Sequence, residues 1–161
     1  QMLEKTAMDD LTAFFERLLA FYRSFLQLES EKYADVKAGR LDRLDGRIRG
    51  EQAYLLKARG LERERLGLQE KAGCPGATFR ELIPLFAPER QETARKLYAD
   101  LSSVIRELKR TNEDCNRLTD AKLRKAEKIV ESLRNDPGLA AAYDAKVKKA
   151  KRAAGLFSKK V

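Results

Sequence analysis

Leu11-Thr12-Ala13-Phe14-Phe15-Glu16-Arg17-Leu18-Leu19-Ala20-Phe21-Tyr22-Arg23-Ser24-Phe25-Leu26-Gln27-Leu28 carries apolar residues at 11, 14, 18, 21, 25 and 28, in alternating steps of three and four. Ala94, Leu97, Leu101, Val104, Leu108, Cys115, Leu118 and Ile129 follow the same alternation with polar interruptions. This spacing lays one apolar seam along each helix and leaves charge elsewhere. Between the two stretches, Ala72-Gly73-Cys74-Pro75-Gly76 cannot continue a helix. Two helices, predicted over 9–71 and 88–134, each need a partner, and a turn joins them. The expected fold is all-α: an elongated, coiled-coil-like antiparallel helical hairpin, suited to holding a partner rather than to chemistry.

Composition narrows the class. The 161 residues amount to one domain, and 37% charge with 7% aromatics and no Trp fits long solvated helices. No apolar run of about 18 residues is present, so no membrane insertion is expected. The N-terminus lacks the basic-then-apolar layout of a signal peptide, which points to the cytosol. Without His and with only two Cys, the usual zinc ligands are missing, so no metal or cofactor site is expected. Cys74 at the turn and Cys115 about 40 Å down the returning helix are expected to be free thiols. No nucleophile–base pair or phosphate-cradling loop occurs, so catalysis is not expected.

Local signals mark the elements. Asp9 or Asp10 can cap the first helix, and a bend is expected near Gly39, where the heptad phase slips. Thr78-Phe79-Arg80-Glu81 matches a capping box and opens a short helix over about 78–86. Pro88 suits the first position of the next helix, and Asn135-Asp136-Pro137-Gly138 terminates it. The hairpin is assigned to 1–138 and a basic tail to 139–161. Of the net charge of +9, seven Lys or Arg against Asp144 place +6 in that tail. Glu29, Glu31 and Asp35 read as solvated helix faces, and Asn112 and Asn116 as residues that set helix register.

A length comparison exposes a gap. The returning helix reaches back only to about residue 25, leaving Phe14, Phe21 and Phe25 without a partner. Fully burying such side chains stabilises by about 1.5–3 kcal/mol each, so they need a cover. The tail folded back, a second copy in a homodimer, or a client would each serve. The tail offers Leu139, Tyr143, Val147 and Ala150 at helical spacing, then Leu156 and Phe157. Such a stripe fits helix-on-helix recognition of a partner.

Several segments resemble one known family. Ala38-Gly39-Arg40-Leu41-Asp42-Arg43-Leu44, Phe79-Arg80-Glu81-Leu82-Ile83-Pro84, and Leu108 through Leu118 with Asn112 and Asn116 match FlgN-type flagellar export chaperones in order. Tyr143-Asp144-Ala145-Lys146 and the closing Leu156-Phe157-Ser158-Lys159-Lys160-Val161 are similar to the tails of Gram-positive-type members. Val147 stands where those tails carry Gly. The resemblance implies a cytosolic chaperone for the hook–filament junction proteins FlgK and FlgL, which keeps them from premature assembly and delivers them to the type III export apparatus. It further implies that cargo binds the C-terminal portion, and that a tail tyrosine, matched by Tyr143, contacts the export gate protein FlhA. Two alternatives stand beside it: a basic helical hairpin that binds nucleic acid or the ribosome through tail lysines, and a structural coiled-coil adaptor of the export ATPase complex. Lysine predominance without interleaved aromatics makes nucleic acid the weaker partner.

Overall fold

A computed structural model of the chain describes residues 2–160, the side chains of 154–160 excepted. The fold is all-α: α1 (Lys5–Lys37), a 3-10 turn (Leu41–Arg43), α2 (Leu44–Lys71), α3 (Phe79–Leu82), a second 3-10 turn (Ile83–Leu85), α4 (Pro88–Ser132) and α5 (Pro137–Lys160). The single helix expected over 9–71 is instead a helical hairpin. Gly39 adopts φ +77°, the amide of Arg40 donates to the carbonyl of Asp35 at 2.8 Å, and that of Gly39 donates to Val36 at 3.0 Å. This pair of bonds around a left-handed residue closes a helix C-terminus and reverses the chain, and glycine adopts that φ without a Cβ penalty. The same pattern ends α2, with Gly73 at φ +81°, Cys74 bonded to Gln69 at 2.9 Å and Gly73 to Glu70 at 3.1 Å.

The chain divides into two compact units, one formed by the residues up to Phe25 with Leu56–Glu107, the other by Leu26–Leu55 with the residues from Leu108 on. In the first, α1 and α2 lie antiparallel, Arg17 pairing with Glu64 at 2.5 Å and Lys57 lying 5.8 Å from the Phe21 ring. The aromatic segment is covered rather than exposed. Phe14, Phe21 and Phe25 are buried, as are Leu11, Leu61, Leu82, Ile83, Phe86 and Leu101 of the same unit. The predicted gap arose from pairing α1 with α4 alone, whereas α2 and the short helix both supply cover. Phe79 stacks on Phe15 at 3.8 Å between centroids and meets Tyr98 edge-on at 5.6 Å. Thr78 accepts the Glu81 amide at 3.2 Å, as the capping signal predicts. α1 also starts earlier than expected, so Asp9 lies within the helix and binds Arg90 at 2.6 Å.

In the second unit the α1–α2 reversal is clamped by a buried carboxylate. Asp35 lies 2.8 Å from Arg47 Nε, 3.7 Å from Arg43 and 4.0 Å from Arg40. The bond to Asp35 is the main reason the Arg47 guanidinium is held above its ordinary value. Asp35 is therefore no solvated face, and neither is Glu29. Glu29, Lys32 and Glu51 are each 1% exposed, with Lys32 Nζ 3.2 Å from Glu29 and in contact with Glu51. Two carboxylates against one ammonium leave an excess negative charge in a dry interior, so a proton is retained. Burial above all, then the hydrogen bond with Glu29, pushes Glu51 up from 4.5 to about 10, against the opposing pull of Lys32.

Removing the cation should be severe. Lys32→Met leaves the carboxylates without a counter-charge, and a urea melt should show a loss of about 3–5 kcal/mol. Glu51→Gln should have the opposite sign at alkaline pH. Glu51 titrates near 10 in the folded chain against 4.5 ordinarily, so between those values the folded state holds a proton that the unfolded chain has released. Stability therefore falls as pH rises through that window. Gln has no such proton, so between about pH 6 and about pH 9 the variant's melting temperature should drop less than that of the parent. Equal drops would show that Glu51 is already ionised in the fold.

Candidate partner-binding groove

The tail is a core element of the second unit. Asp136, read from sequence only as part of a helix stop, also starts α5: its Oδ1 accepts the Leu139 amide at 3.2 Å, and Pro137 opens the helix. Val147, Ala150 and Ala153 are buried in one cluster with Val36, Leu44, Ile48, Cys115, Leu123 and Ala126, and Tyr143, Leu41 and Tyr33 pack partly buried against it. Lys151 binds Glu127 of α4 at 2.8 Å, and this bond is the main reason its ammonium is held above its ordinary value. Val147 fills this core from within a continuous helix, so the tail makes no turn at that position.

Beside α5 lies an open groove of about 560 Å³, with Leu41, Ala126, Tyr143, Val147 and Ala150 as its apolar lining. Asp42 and Asp45 line it from the α1–α2 side, and Lys146 and Lys149 from α5. An apolar lining rimmed by both signs of charge can seat an amphipathic helix and set its direction. Nothing here activates a nucleophile. The nearby Cys115 is 1% exposed, and burial pushes its thiol up.

Of the residues singled out from sequence, Tyr143 and Val147 meet at this groove. Leu139, in the first turn of α5, is 52% exposed. Leu156 and Phe157 lie outside the residues whose side chains are described. Phe14, Phe21 and Phe25 are buried within the other unit. The acidic wall at Asp42 and Asp45 was missed. Asp42 falls inside the Ala38–Leu44 motif and Asp45 directly follows it, a stretch that reads as a helix interruption until the reversal at Gly39 is recognised.

A family model described as FlgN protein matches residues 2–151. The chain belongs to the FlgN family. Comparison with curated proteins and with solved structures returned no match. FlgN proteins are flagellar export chaperones, so the groove belongs to a chain whose task is to bind other proteins. Among the described residues, no helix is long and apolar enough to cross a membrane.

Anchoring of α5 by Val147 can be tested without reference to any partner. Val147→Asp puts a carboxylate into an apolar cluster, and should release α5 from its seat. Hydrogen exchange should show protection lost over 140–153 while the amides of α1 stay protected. Leu139→Ala, at an exposed position, should change stability by less than about 0.5 kcal/mol.

Proposed function

We propose that this FlgN-family chain is a cytosolic chaperone for the hook–filament junction proteins FlgK and FlgL, and that it brings them to the type III export apparatus through FlhA. The observation that carries this reading is the groove beside α5, where Tyr143 and Leu41 face open space. Terminal segments of axial flagellar proteins are amphipathic helices, and an apolar channel with Asp42 and Asp45 opposite Lys146 and Lys149 is suited to one. Cargo held there keeps its own apolar stripe from assembling prematurely.

Tyr143 supports the second half of the proposal. It is half-buried, so part of its ring helps hold α5 while the rest stays accessible. A large ring with one hydroxyl is a common anchor at protein interfaces. Cargo and gate then use neighbouring parts of one surface, the groove for FlgK or FlgL and the Tyr143 turn of α5 for FlhA.

Calorimetry with purified partners separates the two roles. Leu41→Asp should weaken FlgK or FlgL binding at least tenfold, about 1.4 kcal/mol. Unchanged affinity would move cargo away from the groove. Tyr143→Ala should reduce FlhA binding by the cargo-loaded chaperone, and motility with it, by several-fold more than it reduces cargo affinity. An equal loss of both would make Tyr143 a cargo contact, and loss of neither would remove it from the gate signal.

A further inference from the structure

The two walls of the groove beside α5 carry opposite charge, yet they do not close on each other. Asp42, from the 3-10 turn, and Asp45, from the first turn of α2, line one side, and Lys146 and Lys149 of α5 line the other. Asp42, Lys146 and Lys149 are exposed, and Asp45 is half-buried. Among the described residues no ion pair spans the groove. Asp45 is tied at 2.8 Å to the exposed Arg49, one turn along α2, while Asp42, Lys146 and Lys149 have no charged partner. The neighbouring Arg40 and Arg43 are directed to Asp35. On each wall the two like charges stand three residues apart, the spacing at which residues share one flank of a helix.

We infer that the groove takes an amphipathic helix with oppositely charged flanks, and that its two walls fix the direction in which that helix runs. This rests on the proposal that cargo occupies the groove. The floor of Leu41, Ala126, Tyr143, Val147 and Ala150 receives the apolar stripe. A helix lying apolar face down sets one flank on each wall, and turning it end for end exchanges the flanks. Walls of one sign would accept either direction equally. Here one direction sets basic residues on Asp42 and Asp45 and acidic ones on Lys146 and Lys149, and the other sets like charge on like. Each exposed contact changes affinity only a few-fold, but four that pass together from attraction to repulsion amount to at least about tenfold at low salt. The partner therefore needs two basic residues one turn apart on one side of its stripe and two acidic residues on the other. A second copy of this chain fits less well through α5, whose charged positions 146, 148, 149, 151 and 152 are all basic and leave Asp144 alone to meet a lysine wall.

Fluorescence anisotropy with the full chain tests this against three synthetic helical peptides of one composition and one leucine stripe. The first carries lysine on one flank and glutamate on the other, the second has the flanks exchanged, and the third scatters both residues over both flanks. At about 0.05 M salt the first two should bind at least about tenfold tighter than the third, by a margin that shrinks as salt rises. A nitroxide at the peptide N-terminus should broaden amides at the Tyr143 end of the groove with one separated-flank peptide and at the Ala150 end with the other. D42K/D45K should erase the margin, and adding K146E/K149E should restore it with the nitroxide pattern exchanged; circular dichroism should find both variants folded, and the peptide comparison needs neither. Equal binding of all three peptides, lost in Leu41→Asp, would keep the groove as a helix site and overturn the charge inference alone. Binding of none would overturn the inference together with the cargo reading of the groove. Broadening at one end by both separated-flank peptides would overturn the selection of direction. Self-association of the chain that is lost in Leu41→Asp would assign the groove to a second copy and overturn the inference equally.

Discussion

Everything else in the fold depends on the chain reversal at Gly39. A positive φ at one residue turns α1 into α2, and the turn is held from inside by Asp35, which gathers Arg40, Arg43 and Arg47 around the end of α1. Exposed ion pairs contribute little, but a carboxylate only 5% exposed that meets three guanidinium groups is held in a definite geometry. Because the chain reverses there, α2 runs antiparallel to α1 and helps to cover the aromatic stripe. Because it reverses with Leu41 and Leu44 just beyond, apolar side chains are set where α5 can pack on them. A straight helix through residue 39 would abolish both effects.

The layer of Glu29, Lys32 and Glu51 is a second constraint, of a different kind. It lies in the second unit, whose core joins α1, α2 and α4, and Asn112 and Thr119 of α4 are also buried there. An apolar layer of similar volume would serve stability as well or better, since desolvating charges consumes most of their mutual attraction. What a polar layer supplies is discrimination. Sliding α2 by one turn against α1 would strand a buried carboxylate without its ammonium, whereas a slip among leucines costs little. The hydrogen bond from Asn116 to Asn112 at 3.3 Å adds a polar fixture on α4 of the same unit. Register is set by charge where the apolar seam alone is permissive.

The helical class, most seam positions and the Thr78 cap were legible, because period and capping chemistry are local properties, although Ile129 is exposed and Phe15 and Leu19 are core residues outside the seam. Leu11, Phe14, Phe21 and Phe25 are core, as their spacing says. The reversal at Gly39 was legible too, but was read as a bend. Lys37-Ala38-Gly39 repeats in Lys71-Ala72-Gly73, and both end a helix in the same left-handed glycine. The second was recognised because Pro75 follows; the first lacked that prop, although the chemistry of the stop is the same. Charge burial was harder to see. Glu29, Lys32 and Val36 continue the phase of Phe21 and Phe25, so they fall on the seam, but composition alone assigns acids to solvent. Only the partner helix, which places Glu51 opposite Lys32, makes such a position tolerable.

The same misreading decided what the site looked like from sequence. With α1 and α2 fused into one rod, the aromatics had no cover and the tail was the natural candidate to supply it. Once α2 folds back, the Phe cluster is satisfied within its own unit and the tail is left to pack on the Gly39 turn, through the residues picked out by their helical spacing. The groove follows from the small size of those contacts. Ala126, Ala150 and Ala153 let α5 sit close but fill little space, and where Leu41 and Tyr143 reach beyond them an apolar channel stays open. A tail anchored by larger residues would close that channel. In a chaperone, a helix fixed by small residues and bordered by unfilled apolar surface holds its shape when empty and still has somewhere to put a partner.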